Sequence, residues 1–237
     1  MSHSLHRFGS AESLKNDFCI YTRAAKGVNR DNCGDKLRKI LSIYISENPD
    51  NFGSSHAGKS FVAGLKPDEY AQTLDNSYGI IANFDDAEKV KGVLKKAKEA
   101  DVGISIVVSG LIDDVVQIAH DCGLKPHTAS LSLGVFGKTE KLPGEVTTPA
   151  LNEEGAPENE VLEMVTMCGH SLIASNLVKD VIEKVRKGKL SPEDAAIVIA
   201  KPCTCGIFNV TRCARRLKEI LARDGSAQGD KVKKETK

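Results

Sequence analysis

Apolar residues in the first half of the chain follow two alternating patterns. Short apolar and β-prone runs at residues 16–24, 77–84 and 103–110 are typical of buried strands. Residues 31–47 and the segment after the second run instead carry apolar residues three and four positions apart, which predicts amphipathic helices. Strands and helices are therefore expected to alternate along this part of the chain.

The stretch from residue 77 to residue 137 has the order strand, helix, strand, helix, strand. Its third strand is expected at residues 127–137, where apolar residues alternate with small and polar ones. Short joints between these elements favour right-handed βαβ units. The sequence therefore predicts an α/β protein with a small parallel βαβαβ sheet domain, followed by a helical cysteine-bearing domain.

Composition changes after residue 137 and divides the chain. We expect an α/β domain over residues 16–137, an acidic Pro/Gly-containing linker or lid over residues 138–157 and a helical Cys-rich domain over residues 158–223. Residues 1–15 and 224–237 are polar and are predicted to be flexible tails.

The second half of the chain shows helical spacing and clear helix boundaries. Residues 171–187 carry a continuous apolar face, which predicts a long amphipathic helix. Ser191 and Asp194 resemble a capping box at the start of the next helix, and Pro202 ends it. A final helix is expected from Asn209 to Arg223.

Overall composition and charge argue against several functional classes. The chain has 237 residues, and its 33 Lys and Arg nearly balance 32 Asp and Glu, so no global field attracts nucleic acid or membranes. Tryptophan is absent, which argues against a base-stacking surface. No apolar run has the length of a membrane span, and the first residues lack the apolar core of a secretory signal. A cytoplasmic protein that binds neither nucleic acid nor membranes is expected.

Cysteine use is the unusual feature of the composition. The chain has seven cysteines, and an odd number in a reducing compartment does not indicate a disulfide framework. Pro202 places Cys203 and Cys205 in a tight turn, and Cys168 lies in another loop that precedes a helix. Cys213 is expected in the first turn of the final helix, where the helix dipole favours a thiolate.

An antiparallel pair of the two intervening helices would bring both cysteine loops to the same end of the pair. Four thiolates brought together need a positive counter-charge, which a zinc ion or an iron–sulfur cluster supplies. The sequence therefore predicts metal ligation by Cys168, Cys203, Cys205 and Cys213 in a redox or metallocofactor-related role. A [4Fe–4S] cluster is favoured over zinc because the C-x-C turn between Pro and Gly suits a compact cluster loop.

Other interpretations of the cysteines remain open. Free cysteine often packs as a small hydrophobe, the role expected for Cys19, Cys33 and Cys122. The other four cysteines would do the same if the protein is a non-enzymatic subunit or adaptor, or they would be reactive thiols. Basic residues near the cysteines could balance an anionic cluster or bind an anionic substrate: Lys201, Arg212, Arg215 and Arg216.

Residues 53–60 match the phosphate-loop pattern G-x4-G-K-S. In such a loop the backbone N–H groups surround phosphates, Lys59 would contact the β- and γ-phosphates, and Ser60 would hold Mg²⁺. The flanks depart from the pattern, since Gly64 and Pro67 fall where a long helix should begin. A nucleotide-binding enzyme that uses Gly53–Ser60 is the alternative function.

Ser109 and Gly110 form a second candidate ligand-binding position. They join an apolar strand to a helix start, and the carboxyl ends of parallel strands commonly bind ligands. Together with the helix N-terminus they could hold an anion. Candidate partners are thus an anionic small molecule, another protein or a second copy of the chain. No residue pattern identifies a catalytic residue or a substrate.

Overall fold

The structure, a computed structural model, describes residues 7, 9–125, 159–170 and 172–235. Three short 3-10 helices lie at Ser55–Ala57, Phe61–Ala63 and Leu74–Asn76. The strands and α-helices, in chain order, are α1 (Ala11–Leu14), β1 (Phe18–Arg23), α2 (Gly34–Ser46), β2 (Asn51–Gly53), α3 (Pro67–Thr73), β3 (Gly79–Phe84), α4 (Ala87–Ala100), β4 (Ile106–Ser109), α5 (Ile112–Asp121), α6 (Asn159–Val165), α7 (Ser175–Arg186), α8 (Pro192–Ala200) and α9 (Val210–Glu235).

The four described strands form one antiparallel sheet in the order β2-β3-β1-β4. β1 lies at its centre and pairs with β3 on one side and with β4 on the other. β2 pairs with the far side of β3 and places Phe52 opposite Ala82. With α2 and α4 as crossovers, this order is the split βαβ arrangement of ferredoxin-like folds, which host many unrelated functions.

The predicted parallel βαβαβ sheet is wrong. β3 and β4 do run in the same direction, but β1 lies between them and is antiparallel to both. Apolar periodicity shows where a strand lies, but it does not show which other strand pairs with it. The sequence pattern therefore gave no sign that β1 lies between β3 and β4. The predicted strand at residues 127–137 and the linker at residues 138–157 lie outside the described residues.

Side-chain caps define the starts of two helices. The Asp86 carboxylate accepts a hydrogen bond from the backbone N–H of Glu88 at 2.8 Å and caps α4. The predicted cap of α8 is confirmed, because the Ser191 hydroxyl accepts from the backbone N–H of Asp194 at 3.1 Å. α9 continues to Glu235, beyond the predicted end at Arg223.

Both faces of the sheet pack against helices, and a different set of helices covers each face. Successive residues of a strand point to opposite faces, so Ile20 and Ile80 pack with α2 and α4 on one face. Cys19 and Ile81 face the other way and pack against α6 to α9. The sheet therefore lies between the helices of the first half of the chain and those of the second half.

A fully buried ion pair joins the start of β1 to the start of α9. The Arg212 Nη1 atom lies 2.8 Å from Asp17 Oδ2, and neither side chain is exposed. The Asn209 side chain donates to Asp17 at 2.9 Å and accepts from the backbone N–H of Arg212 at 2.8 Å, which caps α9. Burial raises the pKa of Asp17, but the charges of Arg7 and Arg212 outweigh it and hold the pKa below its ordinary value.

The predicted tail over residues 1–15 is partly packed into this network. Arg212 Nε donates to the Ser13 hydroxyl at 3.2 Å, and that hydroxyl donates to Glu163 at 3.1 Å. Arg216 Nε lies 2.7 Å from the same Glu163 carboxylate. The short helix α1 is therefore fixed between β1 and the helical half of the chain.

Asp50 forms a second polar contact between the sheet and α9. One of its carboxylate oxygens accepts from the Thr211 hydroxyl at 2.8 Å, whereas the other is buried without a hydrogen-bond partner among the described residues. Burial raises the pKa of Asp50 to about 6, and the hydrogen bond from Thr211 offsets only part of this effect.

Loss of the buried ion pair should strongly destabilise the fold. Arg212→Ala takes from the buried Asp17 carboxylate one of its two guanidinium partners, and loss of one partner of a buried ion pair typically costs about 3–5 kcal/mol. Arg223→Ala removes an exposed partner of Glu160 and should cost below about 1 kcal/mol. Urea unfolding at neutral pH measures both losses, and equal losses would contradict a central role for Arg212.

The raised pKa of Asp50 should make the folded state less stable as pH rises. Its contribution is full below the ordinary pKa of 3.8 and is lost as pH passes through about 6. Because Asp50 is partly exposed, we expect wild type to lose on the order of 1 kcal/mol relative to Asp50→Asn between pH 4 and pH 7.5. Urea unfolding at several pH values tests this, with Asp31→Asn as the exposed control. A pH profile unchanged by Asp50→Asn would refute it.

Candidate thiol site

Two loops that carry cysteines meet beneath the sheet. Cys168 lies in the turn that follows α6, and Cys203 and Cys205 lie in the turn that follows α8. The sulfur atoms of Cys203 and Cys205 are 3.9 Å apart, and the Cys168 and Cys203 thiols share a hydrogen bond. All three side chains are buried. The predicted meeting of both loops at one end of the α7–α8 pair is confirmed.

Cys19 on β1 lies in the same core as these cysteines, although its sequence context predicted only a packing role. It lies on the sheet face that packs against the helical half, and its pKa responds to the charge of Cys203. Burial is the main cause that raises the pKa of Cys19 to about 12, and the charge of Arg7 opposes it. Strand alternation carries the relevant signal, because it places Cys19 on the face opposite Phe18 and Ile20. We call Cys19, Cys168, Cys203 and Cys205 the thiol cluster.

Cys213, predicted as the fourth ligand, has different surroundings. It is buried in the first turn of α9, in the same core as the thiol cluster. Burial raises its pKa to about 12, against a smaller opposing effect of the Arg212 charge. The helix dipole was expected to favour a thiolate at Cys213, and desolvation reverses that expectation.

Backbone N–H groups point at two sulfur atoms of the thiol cluster. Cys168 accepts hydrogen bonds from the backbone of His170 and Leu172, and Cys203 accepts one from Phe208. Such bonds favour thiolates. The hydrogen bond to Cys203 and burial nevertheless raise the pKa of Cys168. The hydrogen bond from Cys168 lowers the pKa of Cys203, but Cys205 and burial outweigh it and raise the pKa to about 12. These two thiols are therefore protonated at neutral pH.

Arg7 holds the two cysteine loops together. Its guanidinium donates to the backbone carbonyl of Met167, next to Cys168, and to that of Ile207 at 2.6 Å. It also pairs with Asp17 at 3.1 Å. One buried cation thus joins both loops to the start of β1. Its position in the predicted N-terminal tail gave no sequence signal for this role.

The turn that contains Cys203 and Cys205 rests directly on β2. Gly206 has a φ of +77°, and a Cβ at this position would lie 2.1 Å from the backbone carbon of Phe52. A side chain would therefore meet both backbone strain and a steric clash. Only glycine allows this close approach, and it fixes the turn against the sheet.

The basic residues near the cysteines do not form a shared counter-charge for the thiol cluster. Arg212 and Arg216 pair with carboxylates, and Arg215 donates to the backbone carbonyl of Ser13 at 2.9 Å. Lys201 is exposed at the end of α8. Arg7, which the sequence did not single out, is the cation that acts on Cys19.

The thiol cluster is not a preformed metal cage. In the described part of the chain, no three or more His, Cys, Asp or Glu side chains converge in a way that could hold a metal ion. Cys203 instead contacts Cys205 and Cys168 as pairs. Metal binding would need these sulfur atoms to converge on one point, whereas pairwise oxidation to a disulfide would need an external oxidant.

Residues 53–60 have a geometry that differs from a phosphate loop. A strand does precede the loop, because β2 ends at Gly53. Ser60, however, is buried and leads into the 3-10 helix Phe61–Ala63 instead of a long α-helix. Lys59 lies 3.4 Å from Glu69 and pairs with it.

Ser109 and Gly110 lie at the end of β4, where Ser109 is opposite Cys19. A Cβ at Gly110 would lie 2.9 Å from the Phe18 ring, so this glycine permits close packing and leaves no open cradle for an anion. The antiparallel sheet also lacks the shared carboxyl edge on which the predicted ligand position depended.

None of the described helices combines the length and the apolar character that a membrane crossing requires. Comparison of the chain with known protein families, with curated proteins and with solved structures finds no match. Function is therefore inferred from the contacts and chemistry of the chain's own residues.

Proposed function

We propose that the protein binds a thiophilic metal through the thiol cluster and has a redox or metallocofactor-related role. Cys168, Cys203 and Cys205 would be three ligands, and Cys19 the fourth. The observation that carries the proposal is the contact of three buried thiols from two loops, two of them 3.9 Å apart. Two thiolates bound to one tetrahedral zinc ion at about 2.3 Å lie roughly 3.8 Å from each other.

Hydrogen bonds from the backbone support a ligand role for these sulfur atoms. N–H groups directed at cysteine sulfur stabilise the negative charge that a ligand must carry, and such outer contacts orient ligands. Without a cation, burial keeps the Cys19, Cys168 and Cys203 thiols protonated. A metal cation would replace these protons and supply the missing positive charge.

The distance between two cysteine sulfur atoms indicates whether they bind one metal ion or an iron–sulfur cluster. Each cysteine of a [4Fe–4S] cluster binds a different iron atom, which keeps the ligand sulfurs farther apart than two ligands of one ion. The 3.9 Å separation of Cys203 and Cys205 supports a single zinc or iron ion over a [4Fe–4S] cluster. The proposal therefore favours a single metal ion, whereas the C-x-C spacing alone favoured a [4Fe–4S] cluster.

Arg7 would offset part of the charge of such a centre. Four thiolates and one divalent ion carry a net negative charge, and a buried charge is costly unless it is paired. Arg7 is buried beside both loops and its charge lowers the pKa of Cys19. The same side chain would therefore hold the loops and stabilise the charged state.

Elemental analysis of the full chain, purified without oxygen, tests the ligand set. We expect about one zinc or iron per chain in wild type. Cys168→Ser, Cys203→Ser and Cys205→Ser should each lose most of this metal, because serine is a poor ligand for soft metals. Cys19→Ser should weaken binding, measured as loss of metal to a chelator.

Cys122→Ser and Cys213→Ser are matched controls, because both replace buried thiols outside the thiol cluster. Both variants should keep the metal. Circular dichroism confirms that each variant is folded. Wild type without zinc or iron, or with a disulfide between Cys203 and Cys205, would overturn the proposal, as would full metal content in Cys203→Ser. If iron is found together with a stoichiometric amount of sulfide, the site holds an iron–sulfur cluster instead of a single metal ion.

Proton release gives an independent test of the same site. Because burial helps to keep the Cys19, Cys168 and Cys203 thiols protonated, zinc binding at pH 7 should release about three protons per chain. Calorimetry in two buffers of different ionisation enthalpy measures this number. Release of fewer than two protons would show that zinc binds to surface groups and not to the thiol cluster.

A further inference from the structure

Two arginines and a histidine surround the Tyr78 ring. This group lies near the C-terminal end of β1, whereas Cys19 lies near the N-terminal end of the same strand. The guanidinium carbon of Arg23 lies 4.8 Å from the centre of the Tyr78 ring, and that of Arg30 lies 3.9 Å from it. The His56 ring meets the same ring edge-on, with the ring centres 5.2 Å apart. We call Arg23, Arg30, His56 and Tyr78 the Tyr78 cluster.

Neither arginine of this cluster pairs with an acidic residue among those that the structure describes. In the described part of the chain, neither guanidinium has a carboxylate oxygen within the 4.0 Å of an ion pair. Arg38 shows the contrast, because it pairs with Asp35 and Asp75, each at 2.8 Å. Since both charges lie over one ring, they are closer than a Debye length of about 10 Å and repel each other. Exposed cation–π contacts offset this repulsion only weakly.

Ordered backbone holds both arginines in place. Arg23 is the last residue of β1 and pairs with Gly79 of β3. Arg30 lies in a loop that Asn29 fixes, because its side chain accepts from the backbone of Ala25 at 2.7 Å and donates to the carbonyl of Gly103 at 2.6 Å. The cations are therefore brought together by the fold before any ligand arrives, which lowers the cost of binding.

We infer that the Tyr78 cluster binds the phosphate group of a small molecule. An anion that contacts both guanidinium groups would offset their repulsion. Arginine presents parallel N–H donors that match phosphate oxygens two at a time, and His56 adds a further ring N–H. Tyr78 would act as the platform that keeps both guanidinium planes in position. This inference is independent of the thiol cluster, since none of its residues belongs to both sites.

Calorimetric titration of the full chain at low salt with inorganic phosphate tests the inference. We expect saturable binding that falls at least about tenfold in Arg23→Gln and in Arg30→Gln, as expected for loss of a charged donor. Adenosine diphosphate, ribose 5-phosphate and citrate follow as further probes. Tighter binding of adenosine diphosphate than of phosphate would identify a nucleotide site. Equal binding of adenosine diphosphate and ribose 5-phosphate would identify a general site for phosphate esters.

Two variants serve as matched controls. Arg38→Gln removes an exposed arginine that already has acidic partners, and Lys59→Gln removes the lysine of the phosphate-loop pattern. Both should bind phosphate as wild type does. The inference is overturned if wild type does not bind phosphate, if citrate binds as well as phosphate, or if Arg38→Gln weakens binding as much as Arg30→Gln. Loss confined to Lys59→Gln would assign the phosphate to residues 53–60 instead.

Discussion

The buried ion pair between Asp17 and Arg212 is the contact on which the rest of the structure depends. It joins the residue before β1 to the first turn of α9, and Asn209 links the two through its own hydrogen bonds. Cys19 lies two residues after Asp17, and the turn that contains Cys203 and Cys205 leads directly into Asn209. The ion pair therefore sets the distance between the strand and the turn that carry the thiols, and removing either partner would leave a buried charge without one of its two counter-charges.

Sequence reasoning succeeded where the determining interactions are local. The caps at Asp86 and Ser191 lie within three residues of the groups they bind, and the turn after Pro202 is a local consequence of proline. It failed where distant segments meet. The insertion of β1 between β3 and β4 leaves no trace in the periodicity of any strand, so a parallel sheet was expected. Arg7 likewise acts through backbone groups at residues 167 and 207, which no local pattern connects to it.

The candidate site was likewise predicted where local signals determine it and missed where distant segments meet. The two loops of Cys168 and Cys203 were expected to meet because helix lengths and breakers fix where each loop lies. Cys19 could be added only when the sheet order was known, because its face is defined by what covers it. The thiols combine two opposing effects: burial and neighbouring sulfur favour the protonated form, whereas backbone N–H groups favour the charged form. A cation changes which effect dominates.

The turn that contains Cys203 and Cys205 also protects an edge of the sheet. β2 is an edge strand, and the backbone at Gly206 lies against Phe52 so closely that no side chain fits between them. An uncovered edge strand offers free backbone groups to any other chain and promotes aggregation. Chemistry that pulls this turn away from β2 would expose a strand edge at the same moment as the sulfur atoms. The contact at Gly206 therefore keeps these two sulfur atoms and this strand covered together.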